Sequence, residues 1–256
     1  MGLLDTMAVI VFMFHRTPPR AEQVWDVPLG KFKTQVQRMI NSGVSFIRFH
    51  QAAQPKYLTK GSHVVLTFDD GHASNYDAFE YLSEKGIIPA AFVVRDWAEH
   101  RPEFLSSGTI SSLSTVCDFG AHGVTHRDLT TLTEQELTGE LMSSRTFLED
   151  ATGQSIRIMS LPGGRCNERV IRSARNCGYQ VIGNSVFNAN WRAETSVNRL
   201  CIKQYHSATY AMDTVATVNT PFLSRIQFLG GDRFQPAAAW VNARCISISK
   251  RLSAIN

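Results

Sequence analysis

The sequence predicts an α/β fold with a mostly parallel sheet. Two observations carry this expectation. Short apolar, strand-like runs alternate with amphipathic segments of helical period, and the connections between them are too short for anything but neighbouring elements. A third observation, the lack of an internal repeat or low-complexity stretch, points to one domain over residues 1–256.

The elements follow in order. Val9 to Phe14 is apolar at every position, as in a strand buried on both faces. Leu29 to Ile40 places Phe32, Val36, Met39 and Ile40 near one helical face, and Gly43 stops the helix. Val64 to Phe68 is a second buried strand, followed by a helix around Tyr76 to Lys85 with Gly86 as its stop. Ala90 to Val94 is the next strand. Thr133-Glu134-Gln135-Glu136 forms a capping box that opens a long helix to Asp150. Ile156 to Leu161 and Tyr179 to Ile182 read as strands, with Glu168 to Asn176 as the helix between them. From about residue 214 the pattern weakens into a helical C-terminal appendage, with helices expected at 222–229 and 237–248 around Gly230-Gly231.

Composition narrows the function. The chain is 43% hydrophobic and 19% charged with a net charge of +4, and its basic residues are scattered without a run. Nothing here suits a nucleic-acid partner, and no stretch is long and apolar enough to span a membrane. Five cysteines, at 117, 166, 177, 201 and 245, are odd in number and form no Cys-X-X-Cys pair. Free thiols in a reducing cytoplasm are the simplest account. Val9 to Phe14 is short, lacks a basic flank and leads into His15-Arg16, so it reads as a strand and not as an export signal. The expected location is the cytoplasm, at the inner face of the membrane if the substrate is lipid-linked. The oligomeric state stays open.

Two segments carry chemistry. In Thr67-Phe68-Asp69-Asp70-Gly71 an apolar strand runs straight into two carboxylates and a glycine. Parallel α/β folds build their active sites at such C-terminal strand ends. Adjacent carboxylates there repel unless a cation or a proton gives them different roles; a solvated, helix-capping turn is the other reading. In Gly120-Ala121-His122-Gly123-Val124-Thr125-His126 two imidazoles stand four residues apart. One carboxylate with two imidazoles leaves coordination positions open for water and substrate, the composition of a catalytic metal site.

These two segments, in this order, resemble the polysaccharide deacetylase family, also called the NodB-homology or carbohydrate esterase family 4 domain. The resemblance covers roughly residues 9 to 205 and extends to Phe14-His15-Arg16, the Glu140 to Gly153 segment, Leu161-Pro162-Gly163-Gly164 and Gly178-Tyr179. It implies a distorted (β/α) barrel of about seven mostly parallel strands and a hydrolase that removes acetyl groups from an N-acetylated sugar. It also implies a divalent metal held by Asp70, His122 and His126. Zn²⁺ is the first choice and Co²⁺, Ni²⁺ and Mn²⁺ are alternatives. Asp69 matches the catalytic base, and the Gly163 backbone N–H matches the oxyanion donor.

The sequence departs from the family pattern in four places. Gly123 stands where a serine or threonine usually follows the first histidine, with Thr125 as a partial substitute. Ser160 stands where an arginine usually pairs with the base; Arg165 is the candidate replacement, and a surface arginine the other reading. The aspartate-tryptophan motif lacks its aspartate, although Trp191 lies in the right region. The late Leu-X-His motif is not matched around His206. Phe14-His15 instead looks like the strand-end histidine of a subgroup resembling poly-N-acetylglucosamine deacetylases, so His15 is the favoured general acid. Trp97, Trp191 and His72 are candidates for contact with the sugar, each with packing or surface exposure as the alternative. Two rival functions remain: hydrolysis of a non-sugar amide or formamide at the same site, and a non-catalytic metal- or glycan-binding module.

Overall fold

The structure, a computed structural model, describes residues 8–58, 62–190 and 192–218. Nine strands of the described residues form one sheet: β1 (Val9–Phe14), β2 (Ser45–Phe46), β3 (His63–Phe68), β4 (Ala90–Val93), β5 (Asp118–Ala121), β6 (Ile158–Ser160), β7 (Val181–Gly183), β8 (Ser196–Val197) and β9 (Leu200–Cys201). Their order is β8-β7-β6-β5-β4-β3-β1-β9, with β2 beside β3. Every pairing between them is parallel. Among the described residues seven helices accompany the sheet: α1 (Leu29–Asn41), α2 (Tyr76–Glu84), α3 (Arg95–His100), α4 (Ser107–Leu113), α5 (Glu134–Thr152), α6 (Glu168–Asn176) and α7 (Tyr210–Val218).

The path holds eight strands against the seven or so expected, and the reason is local. β8 and β9 are two halves of one chain run, 196–201. The first half pairs with β7 and the second with β1. This run links the two edges of the curled sheet and places Asn198 and Arg199 at the seam. The result is a distorted (β/α) barrel.

Alternation along the strands divides the apolar residues between two cores. Ile10, Phe12 and Phe14 of β1 and Val64, Leu66 and Phe68 of β3 join the helices in the outer core. Val9, Val11 and Val65 point the other way, into an inner core with Phe49, Ala90 and Phe92. This period of two is what a pleated strand buried on both faces requires. The Phe49 ring packs edge-on to Phe92 at 5.1 Å and fills the barrel interior from the side where the strands begin.

The helix signals act as read. Thr133 and Glu136 make the reciprocal capping box of α5, and Gly153 closes that helix in the left-handed region at φ 68°. The sequence reading missed the short helices α3 and α4, the edge strand β2 and the short strand β5. Cys117, Cys177 and Cys201 are free thiols, whereas Cys166 is in a disulfide, against the expectation of free thiols throughout. Among the described residues no helix is long and apolar enough to cross a membrane. The helices expected at 222–229 and 237–248 lie outside the described residues, as does Trp191.

Candidate active site

The site forms where β1, β3, β5 and β7 end. Phe14 and Phe68 are register partners, and their rings stack at 5.4 Å with Phe32 and Phe79 packed around them. This aromatic cluster on the helix side fixes the two strand ends that carry His15 and Asp69. The Asp69 N–H donates to the Phe14 carbonyl at 2.9 Å. Buried Asn75 donates from Nδ2 to the His15 carbonyl at 2.8 Å and accepts from the Thr17 hydroxyl.

Asp70, His122 and His126 come together as the sequence expected, with one potential ligand atom of each within 4.8 Å of the others. Asp70 Oδ1 lies 3.5 Å from Nε2 of each histidine. Two donors about 2.1 Å from one tetrahedral ion stand about 3.4 Å apart, so these spacings fit a shared divalent cation. Asp70 Oδ1 is buried and has no hydrogen-bond donor, a costly state for a carboxylate unless a cation meets it. Asp70 and His126 are also the two non-glycine residues with positive φ among those described, at 73° and 61°. Such backbone conformations are uncommon and gather at functional sites. Nδ1 of His122 is engaged by the Ser160 carbonyl at 3.0 Å and hydroxyl at 2.6 Å, which leaves Nε2 to face Asp70. The serine at the place of the expected arginine therefore orients a candidate ligand from behind.

The loop between the histidines is held by Glu140 of α5, a buried residue. Its carboxylate accepts from the Val124 N–H at 2.5 Å, the Thr125 N–H at 3.1 Å and the Thr125 hydroxyl. Thr125 thus takes the role expected of it. Gly123 has φ +76°, and a Cβ there would stand 2.9 Å from Glu140 Oε2. The departure from serine or threonine at this position follows from that close approach.

Asp69 is gripped by a residue the sequence reading did not find. Arg199, wholly buried at the seam, donates from Nη1 to Oδ1 at 2.6 Å and from Nη2 to Oδ2 at 2.8 Å. Its Nε donates to the Asn184 carbonyl. Gly183 makes room for it, since a Cβ there would meet Arg199 Nε at 2.8 Å. Burial alone would raise the Asp69 pKa, but Arg199 and then His122 outweigh it and bring the carboxyl to about 2. Arg165 does not fill this role. It is exposed to solvent and pairs with Asp128 at 2.8 Å, because its long side chain reaches that nearer carboxylate on the surface. The signal for Arg199 was a lone cation set directly before the apolar Leu200-Cys201-Ile202.

His15 lies within the field of Asp69, Asp70, Arg199 and His122. Burial lowers its pKa, and the two aspartates oppose that shift. Its Nδ1 is 4.0 Å from Cys201 Sγ, whose thiol burial pushes up to about 12. His206 stands elsewhere, stacked on Tyr210 at 3.9 Å with Nδ1 accepting from the Lys203 N–H. Gly163 is exposed in a left-handed turn at φ 62° after Pro162. Trp97 is packed by His126 at 4.9 Å, Phe104 at 4.9 Å and Arg101 at 5.0 Å, so it walls a candidate ligand. His72 caps its own turn by accepting from the Ser74 N–H and rests on Phe104.

The chain matches the family model described as polysaccharide deacetylase over residues 56–182. It is 29% identical over 119 residues to the putative polysaccharide deacetylase YxkH of Bacillus subtilis, covering 46% of this chain and 43% of the relative. It is 26% identical over 174 residues to the peptidoglycan-N-acetylmuramic acid deacetylase PdaA of the same organism, covering 64% and 65%. The chain thus spans less than two thirds of the length of either relative. Among solved structures, the Streptococcus pyogenes deacetylase PplD in complex with acetate superposes with a TM-score of 0.74 at 21% identity, over 82% of this chain and 99% of that one. That likeness bears on the fold, which it shares. The family match spans both segments that build the site, Asp69-Asp70 and His122 to His126, and the chain belongs to the polysaccharide deacetylase family.

Proposed function

We propose that this protein is a metal-dependent hydrolase that removes acetyl groups from N-acetylated sugars of a glycan or glycan precursor. The observation that carries the reading is the pairing of unlike carboxylates. Asp70 Oδ1 is buried and undonated between two imidazoles, while its neighbour Asp69 is held ionised by Arg199. A purely structural metal site has no use for the second arrangement. A non-catalytic reading has two motives, the arginine missing from position 160 and the incomplete aspartate-tryptophan motif; Arg199 answers the first by supplying an arginine to Asp69.

Asp70, His122 and His126 would hold the cation, with Zn²⁺ suited to one carboxylate and two imidazoles. When bound, it supplies Lewis acidity toward a water and the acyl oxygen. Asp69 accepts the proton of the attacking water, and its low pKa keeps it an unprotonated acceptor at neutral pH. The Gly163 N–H donates to the developing oxyanion, a contact worth about 3–4 kcal/mol in other enzymes. His15 gives a proton to the leaving nitrogen. Burial lowers its pKa, so its imidazolium is the readier donor.

Acetate release from N-acetylated oligosaccharides tests this. Activity is expected to vanish on chelation and return with Zn²⁺. Asp69→Asn should keep its metal and lose about 10²–10⁴-fold in rate, since an amide cannot take the proton. Full turnover in Asp69→Asn, or release of formate but not acetate from matched substrates, overturns the proposal.

A further inference from the structure

We infer, resting on the deacetylase reading above, that the rim beside His15 binds an acidic sugar unit through Trp25, Tyr205 and Lys203. Large hydrophobic side chains that stay exposed are few: among the described residues they are Val24, Trp25, Tyr76, Met142 and Tyr205. Three of these five meet at one place. The Gln204 N–H donates to the Val24 carbonyl at 2.9 Å, which sets the 24–25 turn beside the 203–205 turn. Lys31 Nζ donates to the Gln204 carbonyl at 2.7 Å and fixes the second turn further. The Trp25 ring lies 4.9 Å from the His15 ring, so the patch adjoins the site.

The Trp25 turn is braced. Asp26 is wholly buried; its Oδ2 accepts from the Glu22 and Gln23 N–H groups at 2.8 and 3.0 Å, and its Oδ1 pairs with Arg16 at 3.2 Å. The Val27 N–H returns to the Arg16 carbonyl. An indole that is 40% exposed on so firm a turn is a preorganised surface, and exposed apolar patches of this kind mark contact sites.

Lys203 gives the patch its chemistry. The residue is largely buried, and its ammonium stands 4.9 Å from the Trp25 ring and 5.8 Å from the Tyr205 ring. No carboxylate among the described residues forms an ion pair with it. A cation held against two aromatic faces gains from the rings and gains more from an anion. The two surfaces together suit a pyranose whose C–H face lies on Trp25 and whose carboxylate or phosphate meets Lys203. A neutral glycan would use the ring and leave the cation unanswered.

Calorimetric titration of the Zn²⁺-loaded protein tests this without relying on turnover. The probes are chitotetraose, a tetrasaccharide alternating N-acetylglucosamine with glucuronate, and N-acetylglucosamine 1-phosphate compared with N-acetylglucosamine. At least one anionic probe is expected to bind about tenfold tighter than its neutral counterpart, the worth of one modest charge-assisted contact. Preference for the uronate identifies a carboxylate on a neighbouring sugar; preference for the phosphate identifies a sugar phosphate. The preference should fall as salt rises, survive in Lys203→Arg and disappear in Lys203→Met. Trp25→Ala should weaken anionic and neutral probes alike. An unchanged preference in a folded Lys203→Met, or no preference in the native protein, overturns the subsite. Absence of acetate release with the preference intact would instead sink the deacetylase reading.

Discussion

At the mouth of the barrel Arg199 grips both oxygens of Asp69 at 2.6 and 2.8 Å, and both side chains are out of solvent. At the opposite end, where β5 begins, Arg48 touches one oxygen of Asp118 at 3.1 Å, and its side chain is 45% exposed. Each aspartate also faces a histidine: His122 at 3.9 Å from Asp69 and His50 at 4.0 Å from Asp118. The residue types are the same and the outcomes are opposite. Arg199 and then His122 overcome burial and bring Asp69 to about 2, whereas burial prevails over Arg48 and His50 and raises Asp118. A two-point grip in a dry setting decides the matter, because an arginine fork engages a carboxylate fully only when both bonds form and water does not compete.

Breaking the two pairs should therefore have unequal effects. Arg199→Met leaves a buried carboxylate without its partner, which typically costs about 3–5 kcal/mol. It should also release Asp69 from its low pKa and abolish acetate release. Arg199→Lys keeps the charge without the fork and should fall between. Arg48→Met at the other end should cost no more than about 1 kcal/mol, as for exposed pairs. Urea midpoints and acetate release measure both; equal losses at the two ends would show that the grip on Asp69 has no special weight.

A smaller effect is expected one layer behind the mouth. Glu140→Ala strips the Val124 and Thr125 N–H groups of their acceptor, at about 1–3 kcal/mol for a buried group left unpaired. The His122–His126 loop should loosen, with Zn²⁺ affinity falling about 10–100-fold, as when the groups behind metal ligands are removed. Glu140→Gln retains one acceptor and should fall less. Competition with a chromophoric chelator reads the affinity directly. A folded Glu140→Ala with native affinity would make Glu140 a helix residue and nothing more.

What the sequence revealed and what it hid divide along the same line. Asp69, Asp70, His122 and His126 sit in two contiguous segments at strand ends, so their placement follows from local pattern plus the rule that parallel sheets gather function at their C-terminal edge. His15 was reachable for the same reason, since the apolar run before it announces a strand. Arg199 was not, because the lone cation marks the residue but not its partner: its meeting with Asp69 depends on the 196–201 run changing partner from β7 to β1. Nearness to position 160 favours Arg165 instead, which the structure places on Asp128. The Trp25 turn was hidden likewise: an exposed tryptophan looks the same in sequence as a buried one. The eighth strand escapes notice because a strand split between two partners reads as two short irregular pieces.

The mildest prediction concerns Asp118. Its carboxyl is raised above the usual range, burial outweighing Arg48 and His50, and its Oδ2 is buried without a hydrogen-bond donor. An acid whose pKa is higher folded than unfolded keeps its proton in the native state while the unfolded chain has already lost it. Between the ordinary value of 3.8 and the raised one, the native state binds more protons, so stability falls as pH rises through that window. Asp118→Asn removes the titrating group, and its amide can donate as well as accept. The variant should match or slightly exceed the native protein at pH 7, and the gap should narrow or reverse near pH 4, where native Asp118 holds its proton more than the unfolded chain does. Urea midpoints at the two pH values give the comparison. Asp69→Asn should do the reverse, because a depressed pKa stabilises the fold above the unfolded value. A larger loss for Asp118→Asn at pH 7 than at pH 4 would mean that the single contact with Arg48 outweighs burial, and that the two ends of the barrel treat their aspartates alike.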